Sequence, residues 1–279
     1  MEHRHFALAG LMGWPVAHSR SPDIHGHWMA EHGLRGAYVL LPVAPQNLQQ
    51  ALRALPVLGF AGCNLTIPHK VAAMGLVDRV DPVALRIGAI NTVVVQGDGS
   101  LSGFNNDGFG YVESLRAEVP GWRADAGPVT VIGAGGAARA VLVGLAEQGA
   151  REIRLCNRSA DKARQLAAEL GGPIRAVPWD QRHAALADVA LLVNTTSQGM
   201  SGQAPLDLSL DALPAHALVS DLVYVPLQTP LLAAARARGN PTVGGLGMLL
   251  HQARPAFAAW FGTMPAVTAA LRARLEAGL

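Results

Sequence analysis

Two rhythms alternate along the chain. Short unbroken apolar runs, the pattern of strands buried on both faces, are separated by longer stretches in which apolar residues return every three or four positions, the pattern of helices packed on one side. The run from Phe6 to Leu11 predicts a strand, followed by a loop from Gly13 to Arg20. Ser21, Pro22 and Asp23 predict a helix start, with Ser21 as the N-cap and Pro22 at the first helical position. Val39 to Val43 predicts a second strand, Asn47 to Leu55 a helix, and Gly62 to Ile67 a third strand broken by Pro68. This alternation favours a mainly parallel sheet.

A helix beginning around Asp107 carries Phe109, Tyr111, Val112 and Leu115, stops near Pro120 and Gly121, and is expected to bridge two domains. Beyond it come a strand at Val129 to Ile132, the glycine-rich segment Gly133 to Ala138, and a helix to Gly149. A strand at Glu152 to Cys156, a helix through Ala163 to Leu170 and a strand at Val189 to Val193 complete the pattern of a βαβαβ mononucleotide-binding half. After Pro241, the stretch Gly244 to Gly247 leads into a long helix through Met248, Leu249, Phe257 and Trp260, which we assign back to the first domain. The expected fold is α/β. A discontinuous domain of residues 1–106 and 245–279 with a mainly parallel sheet faces a Rossmann-type domain of residues 107–244 across a cleft.

Composition narrows the class. At 279 residues the chain has room for two domains, and with half its residues hydrophobic but only 5% aromatic its core must be mostly Ala, Val and Leu. Formal net charge is +2, with Lys and Arg spread among Asp and Glu, so no basic stripe points to nucleic acid. Cys63 and Cys156 are too few and too far apart for a disulfide framework, and a reducing cytoplasm is expected. The N-terminus lacks the apolar core of a signal peptide, and no segment has the length of apolar sequence needed to span a bilayer. His3 and His5, like His25 and His27, are two apart and would face different sides of a helix, so no metal is expected. Monomer and homodimer both stay open.

Gly133, Ala134, Gly135, Gly136, Ala137 and Ala138 match the dinucleotide fingerprint, after a strand and at a helix start. The first glycine allows the tight turn, the second lets backbone approach a pyrophosphate, and small Ala138 lets the helix pack on the sheet. The helix N-terminus adds free N–H groups for the phosphates. An NAD site usually presents an acidic residue at the end of the next strand, but here stand Asn157, Arg158 and Ser159, with Lys162 beyond. Arg158 can stack on adenine and, with Ser159 and Lys162, hold a 2′-phosphate, so NADP is favoured over NAD.

Polar groups in the first domain cluster in His18 to Pro22, in Asn64 to Lys70 and in Gly88 to Thr92. With Gly103, Asn105 and Asp107, and with Gly245 to Met248 and Gln252, they resemble the shikimate dehydrogenase family, in order and over nearly the whole chain. The resemblance implies reduction of 3-dehydroshikimate to shikimate by NADPH, with Lys70 and Asp107 as the catalytic pair. Charge developing on the ring carbonyl oxygen calls for a cation and proton donor, and Lys70 is both. The resemblance further implies that Ser19, Ser21 and Tyr224 hold the substrate carboxylate. It assigns the ring hydroxyls to Thr66, Asn91, Gln252 and Asp107, and the edge of the nicotinamide to Leu222 and Gly245. Two positions depart from the family pattern: Asn106 stands where Thr is usual, and Phe104 where an acidic or polar residue is.

Three rivals differ in residues. An NAD-linked quinate or quinate/shikimate dehydrogenase would show an acidic residue after the second Rossmann strand, and serine at both first-loop positions favours shikimate. A non-catalytic NADP-binding metabolite sensor would have lost Lys70 or Asp107. A methylene-tetrahydrofolate dehydrogenase would have little use for the first-loop serines and Gln252.

Overall fold

The structure, a computed structural model, describes residues 6–279; His3 and His5 lie outside the described residues. The chain begins with β1 (Ala7–Gly13), α1 (Ser21–Glu31), β2 (Gly36–Pro42), α2 (Leu48–Ala54) and β3 (Phe60–Leu65). Then follow α3 (His69–Ala72), β4 (Arg79–Val80), α4 (Pro82–Ile87), β5 (Thr92–Val95) and β6 (Leu101–Phe104). The middle of the chain forms α5 (Asp107–Glu118), β7 (Val129–Ile132), α6 (Gly136–Glu147), β8 (Ile153–Cys156), α7 (Ala160–Leu170) and β9 (Ile174–Val177). It continues through β10 (Leu191–Asn194), β11 (Leu218–Asp221), α8 (Pro230–Ala237) and β12 (Thr242–Val243) to α9 (Leu246–Phe261) and α10 (Ala269–Glu276). No helix among the described residues is long and apolar enough to cross a membrane.

The described chain divides into two compact units, one reaching Asn106 and resuming over Gln252–Gly278, the other spanning Asp107–His251. The second division falls inside α9.

In the first unit the strand order is β2-β1-β3-β5-β6-β4. The β2-β1-β3 portion is parallel, whereas β5 runs antiparallel to both β3 and β6. The antiparallel part comes from a hairpin: β-branched Thr92 to Val95 turns through Gly97, Asp98 and Gly99 into Leu101 to Phe104. One face of this sheet buries Met12, Leu48, Leu52, Leu65, Ile90 and Val93. Trp260 of α9 donates its indole N–H to Val93 O at 3.1 Å, and a β-carbon on Gly62 would overlap both that oxygen and the indole. Only glycine lets the helix sit this close to the sheet.

Two local expectations are corrected. Ser21 does not cap α1. Arg20, already in helical conformation at φ −89° and ψ 0°, is the N-cap, and the helix begins one residue earlier, with Ser21 as its first residue. The third strand stops at Leu65 rather than Ile67, because after Thr66 N–H bonds Met12 O (3.0 Å) the chain turns away towards α3.

In the second unit six strands run all parallel in the order β12-β11-β10-β7-β8-β9. Numbered from β7, this is the 3-2-1-4-5-6 order of the Rossmann fold. The third strand of the first half is β9, not the run at Val189 to Val193, which belongs to β10 and pairs with β7. Ile132, Cys156, Leu186, Leu192, Val219 and Leu232 fill one core of this unit.

Candidate functional site

The strand order reverses between β7 and β10, and open parallel sheets bind ligands at such a point. Gly133 leaves β7 there at φ +107°, a backbone region in which side chains are strained. A β-carbon on it would stand 2.7 Å from Thr195 Oγ1 and 2.9 Å from Thr196 Cγ2. Thr195 is locked against the end of β7, its N–H on Ile132 O at 2.9 Å and its hydroxyl on the same oxygen at 2.8 Å. Gly135 is the N-cap of α6, without a side-chain cap, and β-carbons on Gly135 or Gly136 would meet nothing within 4 Å. Ala138 is fully buried. These are the features a pyrophosphate requires: bare backbone, open space and a helix N-terminus with its N–H groups uncapped. The turn as built thus fits a dinucleotide.

The end of β8 carries the next group. Asn157 Oδ1 accepts the Ala134 N–H at 3.2 Å, and its amide nitrogen donates to Ser159 O at 2.9 Å, so Asn157 ties the glycine turn to the start of α7. Arg158, Ser159 and Lys162 are all exposed around that helix start, and Ser159 is its N-cap with no side-chain cap bond. Asp161 also lies in the first turn, where it pairs with Arg164. Thus Arg158 and Lys162 offer their charges to solvent beside an open N-terminus, an arrangement suited to an anion.

Buried Asp221, at the end of β11, organises the third part. Its Oδ1 accepts from Asn194 Nδ2 and from Val223 N–H, both at 3.0 Å, and its Oδ2 from Thr229 Oγ1 at 2.7 Å. Burial raises the Asp221 carboxyl above the usual carboxylate range, while these three donors act in the opposite direction. The bonds fix the turn that carries Leu222 and Tyr224. Gly245 packs on it so closely that a β-carbon would overlap Leu222 O, and Gly245 N–H donates to Val223 O at 3.2 Å. Leu222 and Gly245 are therefore brought together. Asn194, Thr195, Thr196 and Asp221, none of them among the residues expected from the sequence, brace these turns; the signal for them is a run of small polar residues straight after a buried strand.

In the first unit, Ser19 and Ser21 lie side by side at the start of α1, their Oγ atoms 3.2 Å apart and Ser19 Oγ accepting the Ser21 N–H at 3.2 Å. Thr66 follows β3, and Gly13 leaves room for its methyl group. Thr66 O accepts the His69 N–H at 2.8 Å, and the buried His69 ring donates through Nε2 to Val43 O at 2.8 Å. Lys70, the second residue of α3, receives the Ile90 N–H on its backbone oxygen at 2.9 Å. That bond joins the Asn64–Lys70 and Gly88–Thr92 segments. Asn91 then faces Gln252 of α9, Nδ2 to Oε1 at 3.4 Å. Asn105 donates to Ala89 O at 2.9 Å.

Asp107 opens α5 in the second unit. That helix packs on α6, the helix that starts at the glycine turn. A β-carbon on Gly108 would lie 2.8 Å from Ala140 O.

A Rossmann sheet with an open glycine turn, joined in one chain to an α/β unit that carries serines, amides and a lysine in the segments following its strands, defines a two-unit nucleotide-dependent α/β protein. Residues 11–93 match the shikimate dehydrogenase substrate binding domain, 119–201 the shikimate / quinate 5-dehydrogenase model, and 245–275 the shikimate 5′-dehydrogenase C-terminal domain. The NADP(+) shikimate dehydrogenase of Paramagnetospirillum magneticum is 59% identical over 266 residues, 95% of this chain and 96% of that protein. Shikimate 5-dehydrogenase from Thermus thermophilus, solved in complex with NADP(H) and shikimate, superposes with a TM-score of 0.87 at 38% identity, covering 98% of this chain and 100% of that one. Quinate dehydrogenase from Corynebacterium glutamicum, solved with NAD, gives a TM-score of 0.90 at 30% identity over 97% and 99% of the two chains. The chain belongs to the shikimate dehydrogenase family.

Proposed function

We propose that this chain is an NADP-dependent shikimate dehydrogenase, reversibly reducing the ring ketone of 3-dehydroshikimate to shikimate in the route to chorismate and the aromatic amino acids. The observation that carries the choice of cofactor is the end of β8, where exposed Arg158, Ser159 and Lys162 surround an uncapped helix start and no carboxylate takes the position that would bind an adenosine 2′-hydroxyl. The high identity to enzymes named for NADP supports the same reading. The unit that reaches Asn106 and resumes at Gln252 takes the substrate and Asp107–His251 the cofactor, a second boundary seven residues later than the one at 244/245 expected from the sequence. Buried, unpaired Cys63 and Cys156 favour the cytoplasm.

Gly133, Ala134, Gly135, Gly136 and Ala137 hold the pyrophosphate of NADP. Asn157, Arg158, Ser159 and Lys162 hold its adenosine 2′-phosphate, and Leu222 and Gly245 border the nicotinamide. When bound, NADPH supplies the hydride. Lys70 stabilises the negative charge developing on the ketone oxygen and gives that oxygen its proton. Asp107 orients the Lys70 ammonium and accepts a hydrogen bond from the neighbouring ring hydroxyl. Ser19, Ser21 and Tyr224 grip the carboxylate. Thr66, Asn91 and Gln252 read the ring hydroxyls, and a buried site built for hydroxyls rejects analogues that lack them.

The test is a spectrophotometric assay of the purified chain with shikimate or quinate, each with NADP or NAD. Oxidation of shikimate with NADP at a kcat/KM at least about tenfold above every other pairing is expected, roughly one charged hydrogen-bonding contact's worth. Preference for quinate with NAD would assign the chain to the quinate branch of the family. No turnover with any pairing would leave a binding protein.

A further inference from the structure

Asn91 sits at the end of a chain of hydrogen bonds that starts in the core of the first unit. The Tyr38 hydroxyl donates to Asn64 Oδ1 at 2.7 Å. Asn64 Nδ2 donates to Asn91 O at 3.0 Å and to Thr92 Oγ1 at 3.1 Å. The Thr92 hydroxyl donates to Asn91 Oδ1 at 2.9 Å, and Asn91 Nδ2 is the end turned to Gln252 Oε1. Tyr38, Asn64, Asn91 and Thr92 are all buried.

Two backbone groups fix the direction. A carbonyl oxygen only accepts, so the end of Asn64 that meets Asn91 O must be its NH2, and the opposite end must be the oxygen that receives the Tyr38 proton. A backbone N–H only donates. Asn106 N–H meets the Asn91 side chain at 3.0 Å, so that end of Asn91 must be Oδ1. Thr92 Oγ1 already accepts from Asn64 Nδ2 and from Asn106 Nδ2 (3.0 Å), which leaves its proton for Asn91 Oδ1. Neither amide can flip without setting acceptor against acceptor or donor against donor. At the far end, the Tyr38 ring is stacked on His25, with centroids 4.0 Å apart and planes 3° from parallel, and burial keeps its phenol protonated.

We propose that Tyr38, Asn64 and Thr92 are positioning residues which, acting as a one-way relay, present the Asn91 amide to the substrate as a hydrogen-bond donor and never as an acceptor. The ring hydroxyl that Asn91 meets is thereby the acceptor and keeps its own proton for another partner. This rests on the reading of Asn91 as a reader of a ring hydroxyl. Asn106, at the position where the family usually has threonine, belongs to the relay through both its backbone and its side chain.

The test compares Asn91→Ala, Thr92→Val, Thr92→Ser and Tyr38→Phe in the full chain, reading KM for shikimate, KM for NADP and kcat. Asn91→Ala and Thr92→Val should each raise the shikimate KM by about tenfold or more, the usual consequence of a buried polar partner lost, and Tyr38→Phe by about fivefold. Thr92→Ser, which keeps the hydroxyl, should stay within about twofold, and the NADP KM should stay within about twofold throughout. Thr92→Val added to Asn91→Ala should raise the shikimate KM no further. If Asn91→Ala raises that KM while Thr92→Val and Tyr38→Phe do not, the relay is overturned and the site reading survives. If Asn91→Ala leaves it unchanged, the reading of Asn91 falls and the relay with it. Equal losses for NADP and shikimate would mark a structural role and also overturn the relay. Should Thr92→Val not fold, Tyr38→Phe, smaller by one oxygen atom, decides on the same readout.

Discussion

Gly108 of α5 lies against Gly144 of α6, so near that a β-carbon on Gly144 would stand 3.0 Å from the Gly108 carbonyl oxygen. The residue before Gly108 is Asp107, and α6 begins at the dinucleotide turn. Close contact of these two backbones therefore couples the placement of a proposed catalytic carboxylate to the proposed cofactor site. Helical alanine is intrinsically favoured over glycine by up to about 1 kcal/mol, but a forced backbone shift costs about 1–3 kcal/mol. We expect Gly108→Ala, which would bring a β-carbon to 2.8 Å from Ala140 O, to destabilise the protein by about 1 kcal/mol net and to lower kcat. Urea unfolding with steady-state kinetics checks both; unchanged stability and kcat would show that the helices can part freely.

The glycine turn makes a second expectation. Gly133→Ala would combine a strained φ with collisions at Thr195 and Thr196. A loss of about five- to hundredfold in NADP affinity should follow, strain of this kind being worth about 1–3 kcal/mol. Titration by quenching of nucleotide fluorescence measures it, and retained affinity would place the cofactor elsewhere.

Removal of the Arg158 guanidinium should separate the two cofactors. A charge-assisted hydrogen bond is worth about 1.5–3 kcal/mol, so Arg158→Ala should raise the NADP KM by about ten- to hundredfold while that for NAD changes little. Equal effects on both would mean that Arg158 contacts the adenine rather than the 2′-phosphate.

A pH dependence follows from His25, enclosed by Trp28, Tyr38, Phe257 and Trp260. Burial lowers its pKa from the ordinary 6.5 to about 3. Between these values the unfolded chain binds a proton that the folded chain refuses, so His25's contribution to stability is full above pH 6.5 and is lost as pH falls towards 3. The slope is about 1.4 kcal/mol per pH unit inside that window. Comparing urea unfolding of the wild type and His25→Phe from pH 7 to pH 4 isolates this residue from the carboxylates; parallel curves would show that His25 titrates normally in the fold.

Much of the second unit was legible in the sequence because parallel strands buried on both faces read as unbroken apolar runs and the glycine turn has its own spacing. Ile174 to Val177 was not, because at the sheet edge Arg175 stays exposed and breaks the apolar run. The hairpin of β5 and β6 is hidden for a different reason: Thr92 and Gly103 belong to the polar segments that carry the family resemblance, and the apolar run left between them, Val93 to Val95, is too short to stand out as a strand. The Ser-Pro pair signals a cap at Ser21, yet the backbone of Arg20 is already helical. A motif displays site residues one by one, whereas the Asp221 and Asn64–Thr92 networks arise only when distant strands pair, as Asn64 does with Thr92 across β3 and β5.

The central claim is that the Lys70 ammonium protonates the ketone oxygen as hydride reaches the ring. Its most direct test is kcat for shikimate oxidation by Lys70→Ala, with the NADP dissociation constant measured on the same sample. We expect kcat to fall by at least about a hundredfold, the usual contribution of a positioned acid, with NADP binding unchanged. A variant that turned over at close to the wild-type rate would contradict the assignment of Lys70.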